Sequence, residues 1–390
     1  MKAPWQCWLW IGLGMALHFA AGMRNGWRPS PAGVAEFAAS RPALPPPAPA
    51  TPVCLQEFID PQLTAPSAHV SSVCELPGGR LGAAWYAGTR EGARDVAVYF
   101  ATRQPGLGGA WSAPRALVTR STAAQETFRF VKKVGNPVLF AGANGNLCLL
   151  YVSVGFGGWS GSSLNAKQSF DGGKTWSASQ RLGLSPFFNV SELVKNGPAP
   201  LADGGWVVPI YHETLGKFAE LLWLHLRPSG VEAEKSRPFG GRKAFQPALV
   251  TLDARRALLL CRAAGSVRRV FQSATEDAGR HWTAAQPIDL PNPDSGLDAL
   301  RLQDGRLLLA FNDAAAGRET LRLAASGDEG RSWRRLATLA QERRAEFSYP
   351  FLLQTSDKLV HLTYTWKRRG IKHVVFNLAW LDARHGDETQ

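Results

Sequence analysis

The sequence predicts an all-β protein, and three features of the chain support this class. The 390 residues include 14 Trp, 39 Gly and 26 Pro, a composition that suits many short strands and turns better than a helical bundle. Hydrophobic residues make up 45% of the chain and charged residues 19%, so the chain can bury a sizeable core. From residue 70 onward, a polar turn followed by an apolar strand recurs at a period near fifty residues. Such a period of short strands is typical of a β-propeller.

Six polar turns mark this repeat along the chain. Taking one residue of each turn as a marker gives steps of 66, 59, 51, 50 and 52 residues. Because each period has room for one four-stranded blade, six turns predict six blades. The apolar runs 147–152 and 307–311 would be inner strands that are buried on both faces. The markers are Gly79, Gly145, Gly204, Arg255, Gly305 and Asp357.

A second motif, S/T-x-D-x-G-x-x-W, occurs at residues 169–176, 275–282 and 326–333. Its Asp residues are 106 and 51 residues apart, which corresponds to two periods and then one period of the first repeat. The Asp carboxylate can accept hydrogen bonds from the backbone of its own turn, and the Gly can adopt a positive φ. We therefore expect this motif to staple hairpins together and not to carry out chemistry.

The N-terminus has the pattern of a targeting segment. Met1 and Lys2 precede an apolar stretch over residues 8–22, as in a secretory signal peptide or a short signal anchor. A buried first helix is the alternative. We expect an exported protein that is periplasmic, secreted or anchored to the membrane through residues 8–22. The expected segments are a signal or anchor over 1–22, a Pro/Ala-rich linker over 23–53 that packs no core, a propeller over 54–384 and a C-terminal tail over 385–390.

Export would place the cysteines in a compartment that permits disulfides. Cys54 and Cys74 are the pair closest in sequence, whereas Cys148 and Cys261 lie in apolar runs and are expected to be buried free thiols. None of the five Cys forms a C-x-x-C pair, and no His/Asp cluster has metal spacing, so neither a metal site nor a cofactor is predicted.

The formal net charge of +13 favours acidic partners such as an anionic glycan. Arg residues are spread along the whole chain and are not gathered into a stripe, so no nucleic-acid partner is predicted. The sequence leaves the oligomeric state open.

The repeats resemble those of the Asp-box, or BNR-repeat, propellers, and their order is similar to that of the sialidase (neuraminidase) superfamily. Within that superfamily, the chain looks most similar to bacterial exo-sialidase-like proteins. The resemblance runs from about His69 to Leu381 and is carried by residues 85–95, 208–213, 348–350 and 362–366. It implies a six-bladed propeller with an arginine cluster for a substrate carboxylate, an acid for the leaving oxygen, and a Tyr nucleophile activated by a Glu.

Four residues of this chain match that pattern by position. The resemblance implies that Asp95 is the general acid/base and that Tyr349, which opens the last blade, is the nucleophile. Arg262 and Arg318 would be two members of the carboxylate clamp. As a nucleophile, a neutral Tyr avoids repulsion by the substrate carboxylate.

Two positions depart from the pattern. His69 stands where the family has the first clamp Arg, and Gln246 stands where it has the activating Glu. A Tyr without a base is a poor nucleophile, so another group would have to replace it. Glu213, Glu91 and His212 are the candidates, although a rim salt bridge or turn hydrogen bonds would explain these residues as well.

Trp159 lies in a Gly-rich loop, where it could form a platform on which a sugar stacks. Loop packing would explain this residue equally well. The chain contains neither a P-loop nor a G-x-S-x-G motif, so nucleotide binding and serine esterase chemistry are not supported.

Together these features predict an exported glycoside hydrolase that acts on an acidic, sialic-acid-like glycan. One alternative is a propeller that binds glycans without catalysis. Another is a lyase that cleaves a uronic-acid polysaccharide by β-elimination, with His212 or Tyr349 as its base.

Overall fold

The computed structural model describes residues 30–31, 33–39, 51–142, 144–185, 189–214 and 216–384. The predicted signal or anchor segment and the predicted C-terminal tail lie outside these residues, so export remains a prediction. None of the helices in the described ranges is long and apolar enough to cross a membrane.

The described strands form six antiparallel sheets, which are the six blades of a β-propeller. The predicted architecture is therefore confirmed. The sixth blade takes its outermost strand, β1 (Cys54–Phe58), from the N-terminal end of the propeller. Blade 1 comprises β2 (Ser67–Leu76), β3 (Arg80–Gly88), β4 (Ala97–Arg103) and β5 (Arg115–Thr119). Blade 2 comprises β6 (Lys133–Ala141), β7 (Leu147–Val154), β8 (Ser162–Ser169) and β9 (Gln180–Arg181).

Blade 3 has a divided inner strand, because β10 (Leu193–Val194) and β11 (Ala199–Pro200) both pair with β12. It continues with β12 (Trp206–His212), β13 (Phe218–Arg227) and β14 (Gly230–Ser236). Blade 4 comprises β15 (Ala244–Thr251), β16 (Ala257–Ala263), β17 (Arg269–Thr275) and β18 (Gln286–Pro291). Blade 5 comprises β19 (Asp298–Arg301), β20 (Leu307–Asn312), β21 (Thr320–Ser326) and β22 (Arg334–Gln341). Blade 6 comprises β23 (Phe347–Gln354), β24 (Val360–Trp366), β25 (Gly370–Phe376) and β1.

Among the described residues, two short α-helices lie outside the blades, and a 3-10 turn (Trp159–Gly161) connects β7 to β8. Helix α1 (Arg120–Thr127) follows blade 1, and Thr119 caps its first turn with a side-chain hydrogen bond. Helix α2 (Leu378–Asp382) follows β25, where the Asn377 side chain caps the helix and also accepts a hydrogen bond from the N–H of Val53. Asn377 thereby ties the two ends of the propeller together beside the pairing of β1 with β25.

The core lies between the blades. Each neighbouring pair of blades encloses its own apolar cluster, from blades 1 and 2 around the ring to blades 6 and 1. Strand β7 is buried along its whole length because it has an apolar layer on each face. Burial of the apolar surface in these clusters is the main contribution to the stability of the ring of blades.

The three S/T-x-D-x-G-x-x-W motifs form the predicted staples. In the third copy, Asp328 accepts hydrogen bonds from the Ser326 hydroxyl at 2.7 Å and from the Ser332 N–H at 2.9 Å. The N–H of Gly330, whose φ is +84°, donates to Ser326 at 2.8 Å. The same bonds recur around Asp171 and Asp277. Each of the three Asp carboxylates therefore accepts its hydrogen bonds from groups of its own turn.

Part of the expected linker packs against the propeller, and here the sequence-based prediction was wrong. Phe37 is buried and bridges to Leu201, and its N–H donates to the Ala254 carbonyl at 2.8 Å. Phe37 and Val34 belong to the apolar cluster between blades 3 and 4. An aromatic and a branched side chain supply enough apolar area to hold an otherwise Pro/Ala-rich stretch.

The four described cysteines, Cys54, Cys74, Cys148 and Cys261, are free thiols. Cys148 and Cys261 are buried in their strands, as predicted, and burial raises the pKa of both thiols. Cys54 and Cys74 do not form a disulfide with each other.

Candidate functional site

One backbone feature repeats in all six blades at the same end of the propeller. Within each innermost strand, or in the few residues before it, at least one residue other than Gly adopts a positive φ between +46° and +64°. In β2, β6, β15 and β23 this residue coincides with a β-bulge. Residues other than Gly seldom adopt this conformation, which costs of order 1 kcal/mol or more and is concentrated at functional sites. We call this end the mouth; it is defined by Val70, Asn136, Ser191, Gln246, Asp294 and Tyr349.

Tyr349 of blade 6 stands at the centre of the contacts in the mouth. Its hydroxyl lies 3.5 Å from Nη1 of Arg262, and its ring centroid lies 5.4 Å from the Arg318 guanidinium. The His69 ring meets the Tyr349 ring edge-on, with 4.8 Å between centroids. The structure thus brings together the predicted nucleophile, the two predicted clamp arginines and the residue at the first clamp position.

Gln246 bridges Arg262 to a second tyrosine. Its Oε1 accepts a hydrogen bond from Nη1 of Arg262 at 2.9 Å, and its Nε2 donates to the hydroxyl of Tyr211 at 3.0 Å. All three residues are buried, and Asn136 also donates to the Tyr211 hydroxyl at 3.3 Å. An amide cannot accept a proton, so Gln246 positions Arg262 and Tyr211 but cannot act as the base.

Asp294 fixes both predicted clamp arginines. Its Oδ1 accepts from Nε of Arg262 at 2.7 Å, and its backbone carbonyl accepts from Nη2 of Arg318 at 3.2 Å. Burial lowers the pKa of Arg262, but its electrostatic interactions and hydrogen bonds with Tyr349 and Asp294 outweigh burial and raise the pKa overall. Asp294 therefore holds the Arg262 guanidinium at the Tyr349 hydroxyl and the Arg318 guanidinium over the Tyr349 ring.

A third arginine, which the sequence did not single out, joins the mouth from the turn after β24. Glu346 accepts from Nε of Arg368 at 2.6 Å and from Nη1 of Arg318 at 3.1 Å, and Arg368 also pairs with Glu91. Burial raises the pKa of Glu346, but bonds from Arg368 and Ser348 outweigh it and lower the pKa to about 2. Glu346 is therefore a carboxylate that orients two cations.

His69 is neutral at neutral pH. Its side chain is buried and its Nδ1 has no hydrogen-bond partner within the described residues. Burial, followed by the charge of Arg368, lowers the pKa of His69 to about 4. His69 thus does not supply the charge of the missing clamp Arg, whereas Arg368 does bring a further guanidinium to this region.

Glu91 and Trp159 form the wall of the mouth between blades 1 and 2. Trp159 donates from Nε1 to Glu91 at 3.1 Å, and the Lys133 ammonium lies 3.8 Å from the Trp159 ring centroid. The Trp159 ring also packs near Tyr86, with 6.2 Å between centroids. Cation and aromatic contacts therefore occupy part of the platform that the sequence suggested for a sugar.

The side chains of residues 211–213 point alternately to opposite faces at the end of β12. Tyr211 and Glu213 face the mouth, whereas the ring of His212 stacks on Phe218 with 4.6 Å between centroids. Burial raises the pKa of Glu213, and the charges of Lys217 and Arg262 offset only part of this increase. Burial likewise lowers the pKa of His212 to about 4. Because the His212 ring points away from the mouth, the alternative of a lyase that acts by β-elimination loses one of its two candidate bases.

Asp95 does not join this group. It lies exposed at the end of the loop after β3, where it accepts hydrogen bonds from the N–H and hydroxyl of Thr89 at 2.8 and 2.5 Å. The Thr89 hydroxyl bond is the main reason that its pKa is lowered. An exposed carboxylate with a lowered pKa is poorly suited to donate a proton at neutral pH.

A buried pair beneath the mouth was also missed by sequence reasoning. The Lys195 ammonium donates to the carbonyls of Leu297, at 2.9 Å, and Pro350. The Asn196 amide donates to the carbonyl of Pro247 at 2.8 Å. Lys195 and Asn196 of blade 3 therefore hold the backbone directly after Gln246 and Tyr349.

Residues 79–362 match the model of a family described as the BNR repeat-like domain. The chain belongs to this family. Its fold is that of a sialidase-like BNR propeller, as predicted. No curated protein matches the chain in sequence.

Several solved sialidases share this BNR propeller fold. A Hadza microbial sialidase is 16% identical, with a TM-score of 0.67 over 82% of this chain and 68% of that one. The intramolecular trans-sialidase from Ruminococcus gnavus, solved with oseltamivir carboxylate, is 14% identical, with a TM-score of 0.65 over 83% and 97%. The leech intramolecular trans-sialidase, solved with 2,7-anhydro-Neu5Ac, is 12% identical, with a TM-score of 0.64 over 84% and 70%. At these identities the likeness shows the fold alone.

Three guanidinium groups converge on the mouth of this BNR propeller. Arg262, Arg318 and Arg368 reach it from three different blades, and carboxylates fix each guanidinium before any ligand arrives. Preorganised guanidinium groups recognise planar anions such as carboxylates, often by two parallel hydrogen bonds.

Proposed function

We propose that the mouth binds the carboxylate of an acidic sugar. One observation carries this proposal: Asp294 holds Arg262 with its carboxylate and Arg318 with its carbonyl, so that Arg262 meets the Tyr349 hydroxyl and Arg318 lies over the Tyr349 ring. Within the described residues, Nη2 of Arg262 makes no hydrogen bond, and this leaves two N–H groups for a ligand. Neither Arg has to move or lose a charge partner in order to bind.

Substitution of the two arginines tests this proposal. Arg262→Lys and Arg318→Lys keep the positive charge but lose the planar fork that grips a carboxylate. We expect each to weaken binding of the methyl α-glycoside of N-acetylneuraminic acid, or of methyl β-D-glucuronide, by roughly 10- to 100-fold in calorimetric titration of the full chain. Arg269→Lys is the control, since Arg269 pairs with exposed Asp289 on the outer strands of blade 4. Equal affinity in all variants would refute the clamp.

Hydrolysis of the acidic glycoside is a second candidate, and the placement of Tyr349 and Glu213 favours it. Glu213 has a raised pKa in the mouth and would donate a proton to the leaving oxygen, while Tyr349 attacks the anomeric carbon. The Gln246 amide cannot accept the phenol proton, so this proton passes to solvent water. A second water, deprotonated by the Glu213 carboxylate, then cleaves the glycosyl–tyrosine bond, and the released Tyr349 regains its proton from solvent. Because no base stands beside the phenol, we expect weak turnover.

A matched pair of variants tests this second candidate. Gln246→Glu supplies a carboxylate next to Arg262 and is expected to raise the release of the aryl group from a sialyl-aryl glycoside. Tyr349→Phe is expected to abolish the release. If no variant releases an aryl group although the methyl glycoside binds, the protein is a glycan-binding propeller without hydrolase activity.

A further inference from the structure

An exposed aromatic corner lies beside the mouth on blade 2. Within the described residues, six large hydrophobic side chains are exposed, and three of them are here. Phe128, Phe130 and Phe156 are 94%, 64% and 80% exposed, and the rings of Phe130 and Phe156 lie 5.9 Å apart. Single exposed apolar side chains are common in proteins, whereas neighbouring exposed aromatic rings mark interaction sites.

Two chain segments connect this corner to the mouth. Segments 130–133 and 156–159 run side by side, and the Lys132 N–H donates to the Val154 carbonyl at 2.7 Å. The Lys132 ammonium also lies 3.4 Å from the Gly157 carbonyl. At the inner ends, Lys133 lies over Trp159, which donates to Glu91 in the mouth. Since three residues span at most about 10 Å, the two Phe rings border the mouth.

The charges around the corner indicate what covers it. Arg129 and Lys132 are the charged residues next to the Phe pair in sequence, and Lys133 lies on the side of the mouth. A second copy of the chain docked through this corner would bring these cations together, which opposes association. A ligand with an anionic end for the mouth and an apolar end for the rings matches both the charge and the surface.

We propose that Phe130 and Phe156 bind the apolar aglycone of a glycoside whose acidic sugar occupies the mouth. This subsite rests on the proposed carboxylate binding and deepens it, because it specifies an alkyl or lipid-like group on the reducing side of the sugar. The rings are exposed without ligand and lose water when an alkyl chain covers them, and that loss supplies the added affinity.

A comparison of two aglycones tests the subsite. The full chain is titrated with the methyl and octyl α-glycosides of N-acetylneuraminic acid, and with methyl and octyl β-D-glucuronide, below their micellar concentrations. The octyl compound of the sugar that binds is expected to bind at least tenfold more tightly than its methyl counterpart. In Phe130→Ser/Phe156→Ser this preference is expected to fall below twofold, while the affinity for the methyl glycoside stays unchanged.

Phe170→Ser is the matched control. Phe170 is 54% exposed, but it follows the last residue of β8, whose length of about 25 Å separates it from the end of the strand that Trp159 precedes. It should keep the full octyl preference. Near-ultraviolet circular dichroism verifies that each variant is folded, which is expected because the substituted side chains are exposed.

The outcomes separate the two proposals. Equal binding of methyl and octyl glycosides by the unmodified protein would overturn the aglycone subsite and leave carboxylate binding intact. Failure of every glycoside to bind would overturn both proposals. Retention of the protein on phosphatidylglycerol vesicles without any glycoside, lost in the double Phe variant, would also overturn the subsite, because the corner would then be a membrane contact.

Discussion

Replacing Glu346 by Gln probes the charge network that holds the mouth. In the folded protein the pKa of Glu346 falls from an ordinary 4.5 to about 2, because bonds from Arg368 and Ser348 outweigh the effect of burial. At about 1.4 kcal/mol per pKa unit, this lowering corresponds to about 3 kcal/mol of folding free energy at pH 7. The Gln variant is expected to lose most of that amount, because an amide gives its arginine partners no charge.

The pH dependence follows from the direction of this pKa change. A lowered folded-state pKa stabilises the protein fully above pH 4.5, and the stabilisation is lost as the pH falls towards 2. In urea unfolding, the difference between the unmodified protein and Glu346→Gln should therefore shrink to less than half between pH 7 and pH 3.

Glu342→Gln is the control for this measurement. Glu342 is an exposed residue that pairs with Lys367, and such surface pairs contribute about 1 kcal/mol or less. An equal loss of stability in Glu346→Gln at pH 7 and pH 3 would refute the reasoning, because packing and not charge would then account for the effect.

Three further predictions concern stability. Gln246→Met should lower the free energy of unfolding by about 2–3 kcal/mol in thermal unfolding, because it removes the buried partner of Arg262. Gln246→Glu should not, because it keeps the oxygen that accepts from Arg262 and its second oxygen can accept from the Tyr211 hydroxyl; an equal loss in both variants would contradict the bridge. Phe37→Ala should lower the free energy of unfolding by about 3 kcal/mol and should speed proteolytic cleavage near Phe37. Unchanged cleavage would show that this segment does not pack against blades 3 and 4. Asp328→Ala should lower the free energy of unfolding in urea by about 1–2 kcal/mol, because the turn loses the hydrogen bonds that Asp328 accepts. Binding of acidic sugars should not change, and weakened binding would contradict a purely structural role.

The number of blades was readable from the sequence because each repeat carries a polar turn and an apolar inner strand of similar length. Two parts of the fold were not. The pairing of β1 with β25 joins residues more than 300 positions apart, and no local pattern reports it. Phe37 lies within a Pro/Ala-rich composition that hid its packing against blades 3 and 4.

At the site, the candidate residues that the resemblance placed on strands of the propeller lie close together in the structure. Tyr349, Gln246 and Arg262 lie on strands of the propeller, and the structure brings them together. Asp95 lies in a loop, whose course depends on its own hydrogen bonds to Thr89 and not on the repeat.

A closer use of strand alternation would have separated His212 from its neighbours. Residues at i and i+2 of a strand face the same side, so 211 and 213 face the mouth together and 212 does not. The same rule places Glu346 and Ser348 on one face, two positions apart. Arg368 gave no such signal, because it lies in a turn whose direction only the folded chain defines.

The most direct test of the account compares an acidic ligand with its uncharged ester. The full chain is titrated with the methyl α-glycoside of N-acetylneuraminic acid and with the methyl ester of the same compound, in parallel with methyl β-D-glucuronide and its ester. Loss of a charged bidentate contact of about 2–3 kcal/mol predicts that the ester of the sugar that binds will bind roughly 30- to 150-fold more weakly. Equal affinity for an acid and its ester, or no binding of either acid, would contradict a mouth built to hold a carboxylate.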